Sequence, residues 1–269
     1  PEYYPTRSER RILERHAGEI VRTSGASELV ELGSGAATKT RLLLDAMADQ
    51  GCLDLYVPFD VSEAMVAEVA RGFTTLYPGL RVHGLVGDFL AHLGEIPAGG
   101  RRLAAFLGGT IGNLRPPEAA AFLERLAARL DPGDWFLLGT DLIKDPAVIE
   151  AAYNDSAGVT AEFNRNILRV LNRVAGGDFD PEGFRHRAFY DRELHRIEMR
   201  LVAERAHRVR LEELALELEL AAGEELLTEV SVKYDRAGAR ELLAEAGFEL
   251  TGWYTDPDGL FGLSLARRL

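Results

Sequence analysis

The 269-residue chain has a single cysteine, Cys52, so no internal disulfide framework can staple it, and a reducing, cytoplasmic setting is expected. Cys52 itself reads as a small residue at a strand entry. Long apolar runs are missing as well. Nothing approaches the roughly 20 residues of a helical membrane span. No signal-peptide pattern opens the sequence. Residues upstream of Pro1 are nevertheless expected, because the chain starts without methionine and Tyr3-Tyr4-Pro5 reads as mid-segment. Basic blocks are absent and the net charge is −12, which argues against nucleic acid or an anionic membrane as partner. Lysine is scarce: Lys39, Lys144 and Lys233 stand among 28 arginines. The histidines at 16, 83, 92, 186, 195 and 207 show no metal-ligand spacing, so no metal is expected and each reads as a surface or core residue. Internal repeats and low-complexity linkers are lacking too. What remains is a 46% hydrophobic chain, long enough for one α/β domain with an insertion.

The stretch ELGSG at 31–35 points to a nucleotide-like ligand. It follows the apolar Leu29-Val30, which predicts a buried strand at about 28–32, and a helical run from near Thr38 to about 49 comes next. A strand, a tight turn at Gly33 and Gly35, and a helix let backbone approach a ligand closely and aim helix N–H groups at it. E-x-G-x-G is shorter than the dinucleotide pattern G-x-G-x-x-G and resembles the first loop of S-adenosylmethionine-dependent methyltransferases. Two glycines after a strand also make ordinary turns.

The flanking chain fits a doubly wound sheet. Residues 6–23 have helical spacing, with Ile12, Leu13, Ile20 and Val21 on one side. A second strand, LDLYVPFD, ends in Asp60, where a carboxylate can accept hydrogen bonds from both ribose hydroxyls. Ser62 caps the helix SEAMVAEVARGF. A third strand, LRVHGLVGDF, ends in Asp88 and Phe89, an acid for an adenine amino group beside a ring that packs on the base. The fourth, RRLAAFLGGTIGN, is apolar up to Gly108, as a strand buried on both faces is. PPEAAAFLERLAARL and DWFLLGTDL supply a helix and a fifth strand. Asp60 and Asp88 each read equally as capping or turn acids. Together with the glycine turn they fall at consecutive strand ends, where open α/β sheets bind ligands. Lys39, near the start of the first helix of the repeat, suits a ligand carboxylate or open solvent.

After residue 145 the pattern changes. DPAVIEAAYNDSAGVTAEFNRNILRVLNRV predicts helices broken near Gly158, and HRIEMRLVAERAHRVRL and ALELELAAGEELLTEVSVKY alternate as antiparallel strands. A helix (DRAGARELLAEAGF) and the strands ELTGWYTD and LFGLSLARRL, joined at Asp256-Pro257-Asp258-Gly259, close the chain. The expected fold class is α/β: a Rossmann-like, seven-stranded class I methyltransferase sheet with an α+β insertion after the fifth strand. Residues 6–144 and 232–269 would bind the cofactor. Residues 145–231, with 1–5 and an upstream segment, would bind substrate.

PEYYPTR (1–7), ELGSG (31–35), PFDVSE (58–63), FLGGTIGNL (106–114), AYNDSAGVTAEFNRN (152–166) and LLTEVSVKY (226–234) together resemble the L-histidine Nα-methyltransferases of ergothioneine biosynthesis. The resemblance spans essentially the whole chain. It implies S-adenosylmethionine as cofactor, S-adenosylhomocysteine as product, and three methyl transfers to the α-nitrogen of L-histidine. The mono- and dimethylated forms are then further substrates, and a monomer is expected. Its cofactor set is Gly33, Ser34, Gly35, Lys39, Asp60, Asp88, Phe89 and Gly108. Its substrate set is Tyr3, Asn113, Tyr153, Thr160, Phe163, Met199, Glu229 and Ser231. Asn113, with Tyr3 and Tyr153, would hold the amino-acid head group, and Glu229 and Ser231 the imidazole nitrogens. From the residues alone, Asn113 also fits a turn after Gly112, Met199 also fits a core, and Glu229 and Ser231 also fit a solvated strand face opposite Val230 and Val232. No general base is assigned. Alternatives left by the sequence are another amine as methyl acceptor, a nicotinamide oxidoreductase, for which the third glycine is lacking, and a non-enzymatic cofactor-binding module.

Overall fold

The computed structural model describes Glu2–Leu269 and has two compact units. The larger comprises Pro5–Ile143 and Tyr234–Leu269; the smaller takes Lys144–Lys233 with the described residues before Pro5. Among the described residues no helix is long and apolar enough to cross a membrane.

The larger unit opens with α1 (Pro5–Ser24), whose Ile12, Leu13, Ile20 and Val21 face the core as their spacing predicts. Next come β1 (Glu28–Leu32), α2 (Arg41–Asp49), β2 (Leu55–Asp60) and α3 (Glu63–Leu76). Ser62 does cap α3, its hydroxyl accepting the Met65 N–H. The expected third strand is two short pieces, β3 (Arg81–Val82) and β4 (Leu85–Val86), each paired with β2. Gly84 interrupts them where the backbone lies against α3: a Cβ there would overlap Val66. Asp88 then caps a short helix, α4 (Phe89–His92), instead of closing the strand. β5 (Arg102–Phe106), α5 (Pro116–Ala127) and β6 (Trp135–Asp141) follow.

The smaller unit holds α6 (Pro146–Tyr153), α7 (Val159–Val174) and five strands: β7 (Phe184–Asp191), β8 (Arg196–Ala203), β9 (His207–Leu211), β10 (Leu216–Leu220) and β11 (Glu225–Val232). They form a three-stranded antiparallel sheet, β11-β8-β7, and a β9-β10 hairpin. Leu168, Phe184, Leu201 and Val209 belong to its own apolar core. β7 escapes the alternation rule because its sequence, FRHRAFYD, is dense in arginine. Arg187 is matched across the sheet by Glu225 of β11, which also takes Arg200 of β8; Arg200 bonds Glu198 of its own strand as well, and the two guanidinium groups stack on Phe189 at 4.7 and 5.4 Å.

The chain returns to the larger unit with α8 (Arg236–Glu245), β12 (Phe248–Thr255) and β13 (Phe261–Arg268). The sheet order is β12-β13-β6-β5-β1-β2-β3, parallel except for β13, which is antiparallel to both neighbours. That gives seven sheet positions, with the split third strand filling one edge. β1 lies between β2 and β5, so the strand order reverses there, and a crevice opens beyond the carboxyl ends of β1 and β5.

Candidate active site

In the larger unit, the crevice holds a cavity of about 210 Å³ lined by Gly33, Ser34, Ala37, Lys39, Gly108 and Thr110 among others. Gly33 and Gly35 turn the chain out of β1 with φ of 73° and 47°, angles that carry little cost without a Cβ. Ala37 follows at φ 49°, a strained conformation for a side-chain-bearing residue. Because the loop spends these residues on turns, the helix ladder starts at Arg41, three residues later than the apolar spacing suggests.

The loop is tied down on both sides. Asp60, at the end of β2, accepts the Gly35 N–H at 2.8 Å with one carboxylate oxygen and the Ser62 N–H at 3.0 Å with the other. Each oxygen keeps a further lone pair for a ligand. Asp88 accepts the Leu90 N–H at 2.8 Å as the cap of α4. Phe89 packs edge-on against Phe106 and Phe122, and its ring edge lies 3.6 Å from where a Gly33 Cβ would sit. Beneath the loop, Glu31 is wholly buried and accepts hydrogen bonds from Thr40 and, at 2.5 Å, from Tyr56. Burial pushes its carboxyl up to about 7, against the pull of those hydrogen bonds.

Lys39 meets a carboxylate, as its position suggests, but one of the protein's own. Glu9 of α1, fully buried, pairs with Lys39 and accepts the Gly108 N–H at 2.8 and 3.0 Å. A Cβ at Gly139 of β6 would overlap this carboxylate, so glycine there makes room for it. Sequence reading misses Glu9 because it shares the buried side of an amphipathic helix with Ile12 and Leu13; a charge on an apolar stripe is the one signal available. Ser34 is only 6% exposed and its hydroxyl has no partner, so an unsatisfied donor sits in the cavity wall. The left-handed turn, this orphan hydroxyl and Lys39 fit a ligand carrying a carboxylate and an amino-acid backbone, as S-adenosylmethionine does.

Asn113 ends the 3₁₀ turn Thr110–Asn113 and is exposed. This place at the end of a turn is the one that the turn reading after Gly112 expects.

In the smaller unit, β11 carries Glu229 and Ser231, and Lys233 just past its end continues the every-second-position row. Ser231 is 4% and Lys233 2% exposed, so this face is not solvated; Val230 and Val232 on the other face are buried too. Glu229 is half-buried, burial raises its carboxyl, and the Lys233 charge opposes that rise. Met199 is paired directly with Glu229 across the β8-β11 ladder and is 2% exposed. A bulge at Thr228, whose hydroxyl donates to the Met199 carbonyl, precedes the pair. Lys233 Nζ donates to the Ser231 hydroxyl at 2.9 Å and the Tyr153 hydroxyl at 3.0 Å. Tyr3 stands edge-on to Tyr153 at 6.4 Å. Five sequence-selected residues are therefore gathered: Tyr3, Tyr153, Met199, Glu229 and Ser231. Thr160 and Phe163 lie on α7; the Thr160 N–H is held by Asp155, and Phe163 is 64% exposed. Lys233 is absent from the sequence-selected set, although the alternation that picks out Glu229 and Ser231 reaches it.

Behind Tyr153, Asn164 donates to the Arg200 carbonyl and to His186 Nδ1, at 3.1 and 2.9 Å. His186 Nε2 therefore carries the proton and donates to the Tyr153 carbonyl at 2.9 Å.

Comparison with known proteins agrees with this geometry. Residues 1–268 match the model of the histidine-specific, S-adenosylmethionine-dependent methyltransferases. The chain is 52% identical over 268 residues to the histidine N-alpha-methyltransferase of Mycolicibacterium smegmatis, covering 100% of this chain and 84% of that one. It is 32% identical over 294 residues to ergothioneine biosynthesis protein 1 of Neurospora crassa, covering 99% of this chain and 31% of that one. An S-adenosylmethionine-dependent methyltransferase from Clostridium acetobutylicum superposes with a TM-score of 0.51 at 12% identity, over 95% of this chain and 90% of that one, which speaks for the fold. The chain belongs to the histidine-specific, S-adenosylmethionine-dependent methyltransferase family.

Proposed function

We propose that this protein methylates the α-nitrogen of L-histidine, and then of its mono- and dimethylated forms, to give the trimethylated amino acid hercynine, the first step of ergothioneine biosynthesis. The observation that carries the reading is the polar row of β11: a half-buried carboxylate, Glu229, and a buried hydroxyl, Ser231, on one strand face beside Met199. Imidazole needs that combination, one acceptor for its N–H and one donor for its bare nitrogen. An indole or phenyl ring would leave at least one of the two groups unpaired, which such sites reject strongly.

In the larger unit, Gly33, Ser34, Gly35 and Gly108 bound the cofactor's place, with Lys39 for its carboxylate, Asp60 for the ribose hydroxyls, and Asp88 and Phe89 for the adenine. When bound, S-adenosylmethionine supplies a methyl group activated on a sulfonium and leaves as S-adenosylhomocysteine. The protein's task is positioning: the acceptor nitrogen must be unprotonated and aligned at about 3 Å, and such alignment supplies most of the rate. Tyr3 and Tyr153 orient the amino and carboxylate groups of the substrate, with Thr160 and Phe163 flanking it. No side chain is assigned as general base; the amine loses its proton to water.

Calorimetric titration of histidine, with and without S-adenosylhomocysteine, followed by mass spectrometry of a turnover mixture, tests this. Histidine binding and a product with three added methyl groups are expected, with tryptophan inert. Turnover of tryptophan but not histidine would overturn the reading.

A further inference from the structure

Lys233 is a cation buried to 2% exposure that the proposed chemistry leaves unused. An ammonium has three donors and no acceptor. Its bonds to Ser231 Oγ at 2.9 Å and Tyr153 Oη at 3.0 Å therefore have a fixed sense: both hydroxyls accept. Each must then donate its own hydrogen elsewhere, and both side chains are buried, Ser231 to 4% and Tyr153 to 7% exposure, so water is a poor recipient. Each hydroxyl keeps a further lone pair, but an N–H brought to it would face the like charge of the ammonium; without Lys233, either hydroxyl could turn to accept. The positive charge also favours the ionised, acceptor-only form of Glu229 two residues from Ser231.

Resting on the histidine reading above, we infer that Lys233 is a specificity-determining positioning residue: it fixes Ser231 and Tyr153 as hydrogen-bond donors, so that the site accepts a ring with one N–H and one bare nitrogen. Glu229 takes the ring N–H; Ser231 gives its hydrogen to the other nitrogen. A ring presenting N–H to both groups meets a hydrogen already pointed at it. The polarity of the row is thus set from behind, by a residue that need not touch the ligand.

The test compares the wild-type protein with Lys233→Met, Lys233→Arg, Ser231→Ala and the Lys233→Met/Ser231→Ala pair. Binding is measured for L-histidine and for a pyrrolyl analogue that keeps one ring N–H and lacks the acceptor nitrogen. S-adenosylhomocysteine affinity serves as the folding control. Lys233→Met is expected to weaken histidine binding about tenfold or more, the range for one hydrogen bond to a charged group. The analogue should weaken much less, so the histidine-to-analogue ratio collapses. Lys233→Arg should restore part of that ratio, and Lys233→Met should cost little further once Ser231 is alanine. A merely structural lysine would weaken both ligands equally in every background, and that result overturns the inference while leaving the histidine reading intact. Failure of the wild-type protein to bind histidine would sink both.

Discussion

Removing the Glu9 carboxylate should destabilise the protein strongly without weakening its grip on the cofactor product. Glu9→Ala takes away both acceptors of the Gly108 N–H and the partner of Lys39, and it leaves a void beside Gly139. An orphaned buried N–H costs about 1–3 kcal/mol. Stranding one member of a buried ion pair costs about 3–5 kcal/mol. The Lys39 side chain is 17% exposed, which puts its share toward the low end, and the two losses overlap at one carboxylate. A total of about 3–5 kcal/mol follows, a large part of the roughly 5–15 kcal/mol that holds a domain together. Glu9→Gln keeps the volume and one acceptor and loses only the charge, so about 1.5–3 kcal/mol is expected. Urea titration reads both. Calorimetry with S-adenosylhomocysteine reads the second half: bound ligand brings a carboxylate to a lysine that Glu9 already neutralises, so Glu9→Gln should bind equally or a few-fold more tightly. Stability falling by under about 1 kcal/mol for the alanine variant would refute the burial argument. A tenfold loss of affinity in the glutamine variant would refute the sharing argument and recast Glu9 as the group that aims Lys39.

Gly139→Ala forces its new methyl into the Glu9 carboxylate and to within 3.3 Å of Phe261, and should cost about 1–3 kcal/mol; in a Glu9→Ala background the same change should cost much less, a coupling that a thermal-melt cycle detects. Glu31, raised by burial from 4.5 to about 7, binds more protons folded than unfolded across that interval. Its stabilising contribution is therefore complete below about pH 4.5 and lost as pH rises to about 7, on the order of 3 kcal/mol, so melts of Glu31→Gln should gain on wild type by that order between those limits; a constant difference would contradict the assignment. Burial holds the His186 ring below its ordinary value, and ¹⁵N NMR should show the Nε2–H tautomer at neutral pH with a midpoint under 6.5. Because that shift is downward, the folded state resists the proton, and stability attributable to His186 falls as pH drops below 6.5; an Nδ1–H tautomer would exclude the Asn164 bond.

Much of the larger unit is legible in the sequence because its signals are local. A run such as Leu29-Val30 before two glycines, a capping serine at 62, and an apolar strand ending at Gly108 each rest on a few adjacent residues. Where the reading slips, a distant group decides. The third strand is broken at Gly84 by the approach of Val66 from α3, and α2 starts late because the turn through Gly33, Gly35 and Ala37, all at positive φ, takes up the residues before it. β7 is hidden because Arg187 is satisfied by Glu225 of β11, a partner no window around residue 187 contains. Of the candidate site, Glu229, Ser231 and Met199 follow from strand alternation plus a family resemblance. Glu9 needs knowledge of an amide 99 positions away.

The scarcity of lysine carries more information than its bland reading allows. A chain with 28 arginines and three lysines has delegated its surface charge to guanidinium groups, which snorkel and fork onto exposed carboxylates such as Asp54, Asp180 and Glu219. Each lysine instead meets defined oxygens at short range, among them the Glu9 carboxylate for Lys39, the Tyr4 hydroxyl at 2.7 Å for Lys144, and the Ser231 and Tyr153 hydroxyls for Lys233. A planar fork cannot point at a single hydroxyl without leaving other N–H groups to be satisfied nearby, whereas a compact ammonium rotates three donors freely on its stem. Lysine thus stands where a compact charge meets a particular oxygen, and at Lys233 those oxygens are hydroxyls whose hydrogen-bond direction it sets. In a site whose work is alignment, that direction separates a ring that fits from one that does not.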